Sequence, residues 1–147
     1  MHINKIMFSK ILVPVDGSEN SKRAFNYASY LSKNLKGEIT ILNVAEAPPT
    51  VYVQSQKVLG ELSEKYYKAR EKVFEGYQEL AERENIGIKT KLVFGDPKKE
   101  IVKFALKEEI DVIVIGNRGM GHLKEMLVGS VSGAVIRDSK CPVVLVK

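Results

Sequence analysis

The chain has 147 residues and a mass of 16.4 kDa, of which 44% are hydrophobic and 28% charged. This length and composition suit a folded protein with one sizeable core, so we expect a single domain over residues 1–147. One cysteine and two histidines exclude an internal disulfide framework and argue against a zinc site built from cysteines or several histidines.

Charge and apolar runs narrow the possible partners. The chain carries 23 Lys and Arg against 18 Asp and Glu, a net charge of +5, which favours weak attraction for anions. Aromatic residues are only 7%, and no dense basic cluster is present, so we do not expect a nucleic-acid partner. No apolar run has the length of a membrane span, and no signal-like apolar stretch follows the start. We therefore expect a cytoplasmic protein without a membrane partner.

The first half of the chain predicts two strands and two helices. An apolar, β-branched run over residues 9–15 ends at the turn signal Asp16-Gly17-Ser18 and predicts a buried strand. A helix with Ser18 as N-cap follows, then a strand over Glu38–Val44, a loop over residues 45–60 and a long helix over residues 61–87. Helical spacing assigns both tyrosines of the long helix's inward stripe to core packing. The predicted inward stripes are Ala24, Tyr27, Ala28, Leu31 and Leu35 in the first helix, and Leu62, Tyr66, Ala69, Val73, Tyr77 and Leu80 in the second.

The second half continues the alternation with three strands and two helices. They are a strand over Ile88–Phe94, a helix that begins at Asp96-Pro97, a strand over Asp111–Gly116, a helix over Ser130–Asp138 and a strand over Pro142–Lys147. Strict alternation predicts an α/β fold, in which parallel strands are joined by right-handed crossovers and helices cover both faces of the sheet. We therefore predict a doubly wound, Rossmann-like sheet of five strands in the order 3-2-1-4-5.

This strand order predicts where a ligand binds. The first and fourth strands lie side by side, so the loops after them flank a crevice at the carboxyl edge of the sheet. The loop over residues 116–129 is rich in glycine, and Gly129-Ser130 opens a helix whose free N–H groups and positive dipole end suit a phosphate. The hydroxyls of Ser130 and Ser132 add donors. The alternative is that these glycines only form turns and that Asp16 only caps its own turn.

The chain resembles the universal stress protein family along essentially its whole length. The resemblance is carried by Lys10–Ser18, Asp111–Gly116 and Ser139–Val146. The most specific match is the motif G-x2-G-x9-G-[S/T], formed by Gly116, Gly119, Gly129 and Ser130. In that family the motif marks the branch that binds ATP.

The resemblance implies a role for each matching position. Around the nucleoside, Pro14 and Val15 would line the pocket, Asp16 would lie near the ribose and triphosphate, Val44 would offer backbone groups to the adenine, and Gly116 would approach the ribose. Along the phosphates it places Arg118, Gly119, Gly129, Ser130, Val131 and Ser132. Which of Asn117 and Arg118 contacts phosphate stays open, because this pair varies within the family.

The resemblance also implies a cofactor and an assembly. A magnesium ion would bridge phosphate oxygens, and two copies would form a homodimer by pairing their final strands, here Pro142–Val146. The sequence shows no clear residue that positions water for hydrolysis; Asp16 and His122 are the only nearby candidates. The favoured hypothesis is an ATP-binding module of stress response or signalling, and the alternative is a slow ATPase that uses the same site.

Overall fold

Five parallel strands and four helices make up the computed structural model, which describes residues 8–46, 56–117 and 128–147. The strands are β1 (Lys10–Pro14), β2 (Glu38–Ala45), β3 (Ile88–Phe94), β4 (Val112–Gly116) and β5 (Val143–Val146), and the helices are α1 (Glu19–Leu35), α2 (Gln56–Arg83), α3 (Pro97–Lys107) and α4 (Ser130–Asp138). The sheet order is β3-β2-β1-β4-β5 with every pairing parallel, so the predicted α/β fold and strand order are confirmed. None of the helices described here combines the length and apolar character needed to cross a membrane.

β1 lies at the centre of the sheet and divides the interior into two cores. Ile11 and Val13 face the core beneath α1 and α2, whereas Leu12 faces the core beneath α3 and α4. All three side chains are fully buried. A strand covered on both faces needs apolar residues at every position, which explains the uninterrupted apolar run in this part of the sequence.

The helix ends follow local chemistry. The Ser18 hydroxyl accepts a hydrogen bond from the Ser21 N–H at 3.2 Å, and the Asp96 carboxylate accepts one from the Lys98 N–H at 3.1 Å, so both predicted N-caps are confirmed. α2 ends at Arg83, before the predicted stop at residue 87. The reason is a left-handed Asn85, with φ of +56°, which closes the helix through paired bonds from residues 85 and 86 to the carbonyls of residues 82 and 81.

The inward face of α1 differs from the predicted stripe. Tyr27 is 58% exposed and Leu35 is 37% exposed, so the prediction was wrong for these two residues. The buried face instead contains serines, whose hydroxyls bond to nearby carbonyls: Ser29 to that of Phe25 at 2.9 Å, and Ser32 to that of Gly37 at 2.6 Å. These local bonds satisfy small polar side chains inside the core.

Part of the predicted stripe of α2 is also exposed. Tyr77 is buried as predicted, together with Phe74 and Ala81, which the predicted stripe did not include. Leu62 and Ala69 of the predicted stripe lie at the surface. A helix of 28 residues spans about 42 Å, whereas the eight residues of β2 span about 27 Å. The start of α2 therefore extends past the sheet, and further along its first half Tyr66 and Tyr67 pack against Phe94, the last residue of β3, with ring centroids 6.0 and 5.8 Å away.

Candidate functional site

The carboxyl ends of β1 and β4 lie side by side, as the strand order predicts. Ile11 pairs with Val112 and Leu12 with Ile113 in a parallel register, so both strands run to the same edge of the sheet. On its other side β1 pairs with β2, where Pro14 lies opposite Leu42. Of the predicted site residues, Pro14 and Val15 are buried, Val44 and Gly116 are half-buried, and Asp16 is exposed. Arg118, Gly119 and His122 lie outside the described residues.

A tight turn carries Asp16 beyond the end of β1. Gly17 has φ of +85°, a left-handed conformation that glycine adopts without strain. One Asp16 carboxylate oxygen accepts a hydrogen bond from the Ser18 N–H at 2.9 Å. The turn-capping role that the sequence left open for Asp16 is therefore present. A carboxylate has a second oxygen and further lone pairs, so this bond leaves acceptor capacity for a ligand.

Buried polar groups contact this turn from below. The Asn43 amide donates to the Val15 carbonyl at 2.7 Å, and the Tyr77 hydroxyl lies 2.5 Å from the Ser21 hydroxyl, which itself donates to the Ser18 carbonyl at 3.0 Å. Burial raises the pKa of the Tyr77 hydroxyl, and the nearby Asp16 charge adds to the rise. Tyr77 therefore stays protonated at neutral pH.

The sequence alone did not identify the contacts that Tyr77 and Asn43 make with the Asp16 turn. It assigned Tyr77 to packing, which is correct for its ring, since the ring meets Phe25 edge-on with centroids 5.7 Å apart. It passed over Asn43, although a lone amide inside the apolar run Ile-Leu-Asn-Val is a signal that a buried hydrogen bond is being made.

The N-terminus of α4 is fixed to the end of β4 through one carbonyl. The Asn117 C=O accepts hydrogen bonds from the Gly129 N–H at 3.0 Å and from the Ser132 hydroxyl at 2.8 Å. The Asn117 N–H in turn donates to the Val146 carbonyl of β5 at 2.8 Å. These bonds set the first turn of α4 at the carboxyl edge of the sheet, beyond the strand that neighbours β1.

The first turn of α4 differs from those of α1 and α3. Its N-cap is Gly129, with φ of −66° and ψ of 160°, and this residue has no side chain to cap the helix. The Gly133 N–H closes onto the Gly129 carbonyl at 2.8 Å, so the N–H groups before it have no partner within the helix. The Ser130 side chain is exposed, whereas the hydroxyl of the buried Ser132 is already bonded to Asn117. Backbone N–H groups and the Ser130 hydroxyl are thus the donors that this turn presents to a ligand.

Gly116 has a packing role of its own. A Cβ atom at this position would lie 2.8 Å from the carbonyl carbon and oxygen of Asn20. The first turn of α1 therefore approaches β4 so closely that only glycine fits without a shift. This contact brings the N-terminus of α1 next to the same edge of the sheet.

Comparisons with known proteins agree on one family. The sequence profile of the universal stress protein family matches residues 7–147. Universal stress protein YxiE of Bacillus subtilis strain 168 is 36% identical over 149 residues, covering 96% of this chain and 100% of the relative. Among solved structures, universal stress protein UspA from Lactobacillus plantarum superposes with a TM-score of 0.79 at 27% identity, covering 97% of this chain and 100% of that one.

Two further solved structures share the fold and hold an adenine nucleotide. One is a universal stress protein in complex with cAMP, with a TM-score of 0.70 at 23% identity over 96% of this chain and 98% of that one. The other is a family protein from Arabidopsis thaliana with AMP bound, with a TM-score of 0.66 at 21% identity over 95% of this chain and 91% of that one. At these identities the likeness concerns the fold alone. The profile match and the YxiE relationship establish the membership: this chain belongs to the universal stress protein family.

Proposed function

We propose that this protein binds ATP at the carboxyl edge of its sheet and acts as a cytoplasmic, nucleotide-dependent module of stress response or signalling. The observation that carries the proposal is the first turn of α4. It has no capping side chain at Gly129, and Asn117 holds it at the end of β4, beside the strand that leads to Asp16. Free N–H groups at the positive end of a helix dipole form a site for phosphate.

The nucleoside would lie along the ends of β1 and β2. Asp16 is exposed there and suits a ribose hydroxyl, while the half-buried Val44 has backbone groups near the end of β2 that suit the edge of an adenine. Pro14 and Val15 would form the apolar floor. The related structures with cAMP and AMP support an adenine nucleotide in this fold.

The spacing of Gly116, Gly119, Gly129 and Ser130 favours ATP among the adenine nucleotides, because in this family it marks the ATP-binding branch. Magnesium ions prefer one or two carboxylates together with waters and substrate phosphates. Within residues 8–46, 56–117 and 128–147, no cluster of three acidic, histidine or cysteine side chains is present to hold an ion. We therefore propose that magnesium enters with the triphosphate, with Asp16 as the carboxylate nearest to it.

We further propose that two copies form a homodimer through β5. This strand is the last in the sheet order and bonds to β4 on one side. Its sequence Val-Val-Leu-Val is apolar and β-branched, and an apolar edge strand is commonly paired or covered in native proteins.

The ATP proposal is tested by substituting Gly129. Its φ of −66° is open to any residue, so Gly129→Val keeps the backbone while adding bulk beside the first N–H groups of α4. We expect wild type to bind Mg-ATP in titration calorimetry and Gly129→Val to bind at least about tenfold more weakly, a loss of about 1.4 kcal/mol. Thermal unfolding should show that the variant is folded, with a modestly lower midpoint because valine is a poorer N-cap than glycine.

Gly133→Ala is the matched control on the same helix. Among the described residues, a Cβ there would meet Val128 Cγ1 at 3.5 Å, an ordinary contact, so ATP affinity should not change. Titrations with ADP, AMP and cAMP rank the nucleotides. Wild type that binds none of the four contradicts the proposed function, and a Gly129→Val variant with wild-type affinity contradicts the phosphate site at α4.

A further inference from the structure

We propose that Asn43 and Tyr77 are positioning residues, which hold the Asp16-Gly17-Ser18 turn in the shape that receives the nucleotide. This inference rests on the proposed function, since it concerns the same edge of the sheet. Asn43 comes from β2 and Tyr77 from α2, so the turn is held from two separate elements. Neither side chain is exposed enough to bind a ligand itself, at 2% and 1% exposure.

The hydrogen bonding of Asn43 indicates a positioning role. Its amide nitrogen donates to the Val15 carbonyl at 2.7 Å, which fixes the amide orientation, because the flipped amide would set oxygen against oxygen. Its Oδ1 atom is buried and has no hydrogen-bond partner among the residues that the structure describes. An unsatisfied buried acceptor is costly, so the core alone gives no reason to prefer asparagine here. What asparagine provides and leucine does not is the bond to the last residue before Asp16.

Tyr77 holds the other end of the turn. The Ser21 hydroxyl uses its single hydrogen on the Ser18 carbonyl at 3.0 Å, so Tyr77 is the donor in the 2.5 Å contact between the two hydroxyls. Because the raised pKa keeps this hydroxyl protonated, the arrangement persists at neutral pH.

The two contacts fix the turn on both sides of Asp16. Val15, before it, is held by Asn43, while Ser18, after it, is held by Tyr77 through Ser21. A turn that contains glycine has many accessible conformations, and ordering it on binding would cost free energy. Ordering it in advance removes that cost from ligand affinity.

Two variants test the inference, each with a readout that does not need nucleotide. Tyr77→Phe removes only the hydroxyl, and Asn43→Leu removes both the donor and the unsatisfied acceptor at similar size. In the nucleotide-free protein we expect faster amide hydrogen exchange at residues 17 and 18 in each variant. We expect ATP affinity to fall about fivefold, the equivalent of one hydrogen bond. Asn43→Leu removes the unsatisfied Oδ1 acceptor but leaves the Val15 carbonyl without its donor, so the two effects oppose each other. The variant should therefore melt close to wild type, which separates positioning from a structural role.

Tyr66→Phe is the matched control. It removes a tyrosine hydroxyl from the same helix, one that donates to the Glu46 carbonyl at 2.7 Å and makes no described bond to the turn. Exchange at residues 17 and 18 and ATP affinity should both stay at wild-type values. If Tyr77→Phe fails to fold, Asn43→Leu alone decides the test.

The outcomes separate this inference from the proposed function. Wild type that binds no nucleotide contradicts both. Wild type that binds ATP, with Asn43→Leu and Tyr77→Phe binding equally well, overturns only the positioning role. Unchanged amide exchange at residues 17 and 18 in both variants overturns it as well, whatever the affinities are.

Discussion

Gly116 allows α1 to pack closely against β4 at the carboxyl edge of the sheet, where a ligand is proposed to bind. The space that its Cβ would fill is occupied by the Asn20 backbone of α1, at 2.8 Å. A backbone carbonyl in the first turn of a helix cannot rotate away as a flexible side chain can. The glycine of the sequence motif is therefore required by the fold itself, in addition to the approach to ribose that the family resemblance implies.

Gly116→Ala should destabilise the protein even without nucleotide. The added methyl forces a shift between α1 and β4, and overpacking of this kind costs about 1–3 kcal/mol. Urea unfolding of the nucleotide-free protein measures the cost as a lower midpoint with an unchanged slope. Gly133→Ala, whose added Cβ meets Val128 at an ordinary 3.5 Å within the described part of the chain, should be as stable as wild type or more so. Equal stability of Gly116→Ala and wild type would show that the helix can move away without cost.

Which residues the sequence could identify depends on the distance along the chain to their partners. Ser18 and Asp96 were predicted as N-caps because each bonds within three residues of itself. Asn43 bonds to a residue 28 positions away, and Tyr77 to one 56 positions away. Such contacts depend on sheet register and helix rotation, which hydropathy spacing does not supply.

At the scale of elements, the contact between α1 and α2 is partly polar. Hydropathy ranks Tyr27 and Leu35 as inward residues of α1, yet the helix buries Ser21 and Ser32 instead. Serine is small enough to sit close to the sheet, and its hydroxyl finds carbonyls of the same chain region. The sequence therefore predicted both helices, but the inward face that it predicted for α1 is rotated about the helix axis from the face that is buried. The Tyr77 and Ser21 hydroxyls meet at this contact.

The Tyr77 hydroxyl at this contact predicts that the stability of the folded protein falls at alkaline pH. Burial raises the pKa of Tyr77, and repulsion from Asp16 and Glu19 adds to the rise. Hydrogen bonding with Ser21 and the polar backbone of Gly17 oppose it. A raised pKa means that the neutral hydroxyl stabilises the folded state fully below the unfolded value of about 10. This stability is lost as the pH rises through the folded pKa.

Urea unfolding from pH 8 to pH 11 measures this effect. Wild type should lose more stability over the range than Tyr77→Phe, which has no group to titrate at that position. Lysines titrate in the same range in both proteins, so their contribution cancels in the difference. Tyr30→Phe, at a residue 68% exposed, is the control and should follow wild type. A constant difference between wild type and Tyr77→Phe across the range would contradict burial as the cause.

For the whole molecule, alternation of strands and helices was sufficient to predict the sheet. Right-handed crossovers with helices on both faces leave few strand orders, and β3-β2-β1-β4-β5 is the one found. That order brings the Asp16 turn and the first turn of α4 to one edge without any knowledge of a ligand. Alternation alone does not say what lies against the free sides of β3 and β5, because these two edge strands pair on one side only within the sheet.

The free side of β5 can be assigned from its bonds to β4. The Ile113 N–H donates to the Pro142 carbonyl and the Asn117 N–H to the Val146 carbonyl, so the even-numbered residues of β5 face β4. Backbone groups alternate sides along a strand, and those of Val143 and Leu145 therefore point away from the sheet. The proposed homodimer would pair along these two residues.

Val143→Pro should weaken this dimer while leaving the protomer folded. Proline removes an N–H that points away from β4, so the bonds within the sheet are kept, and its φ is compatible with an edge strand. In a two-fold dimer the same donor is lost from both copies. At about 1 kcal/mol per bond, the dissociation constant should rise about thirtyfold.

Light scattering across a dilution series measures the shift in the dissociation constant of the dimer. Val143→Ala is the control, because it truncates the side chain and keeps the N–H. A wild type that stays monomeric, or a Val143→Pro variant that dimerises as tightly as Val143→Ala, would exclude this edge as the interface, since only the proline lacks the donor.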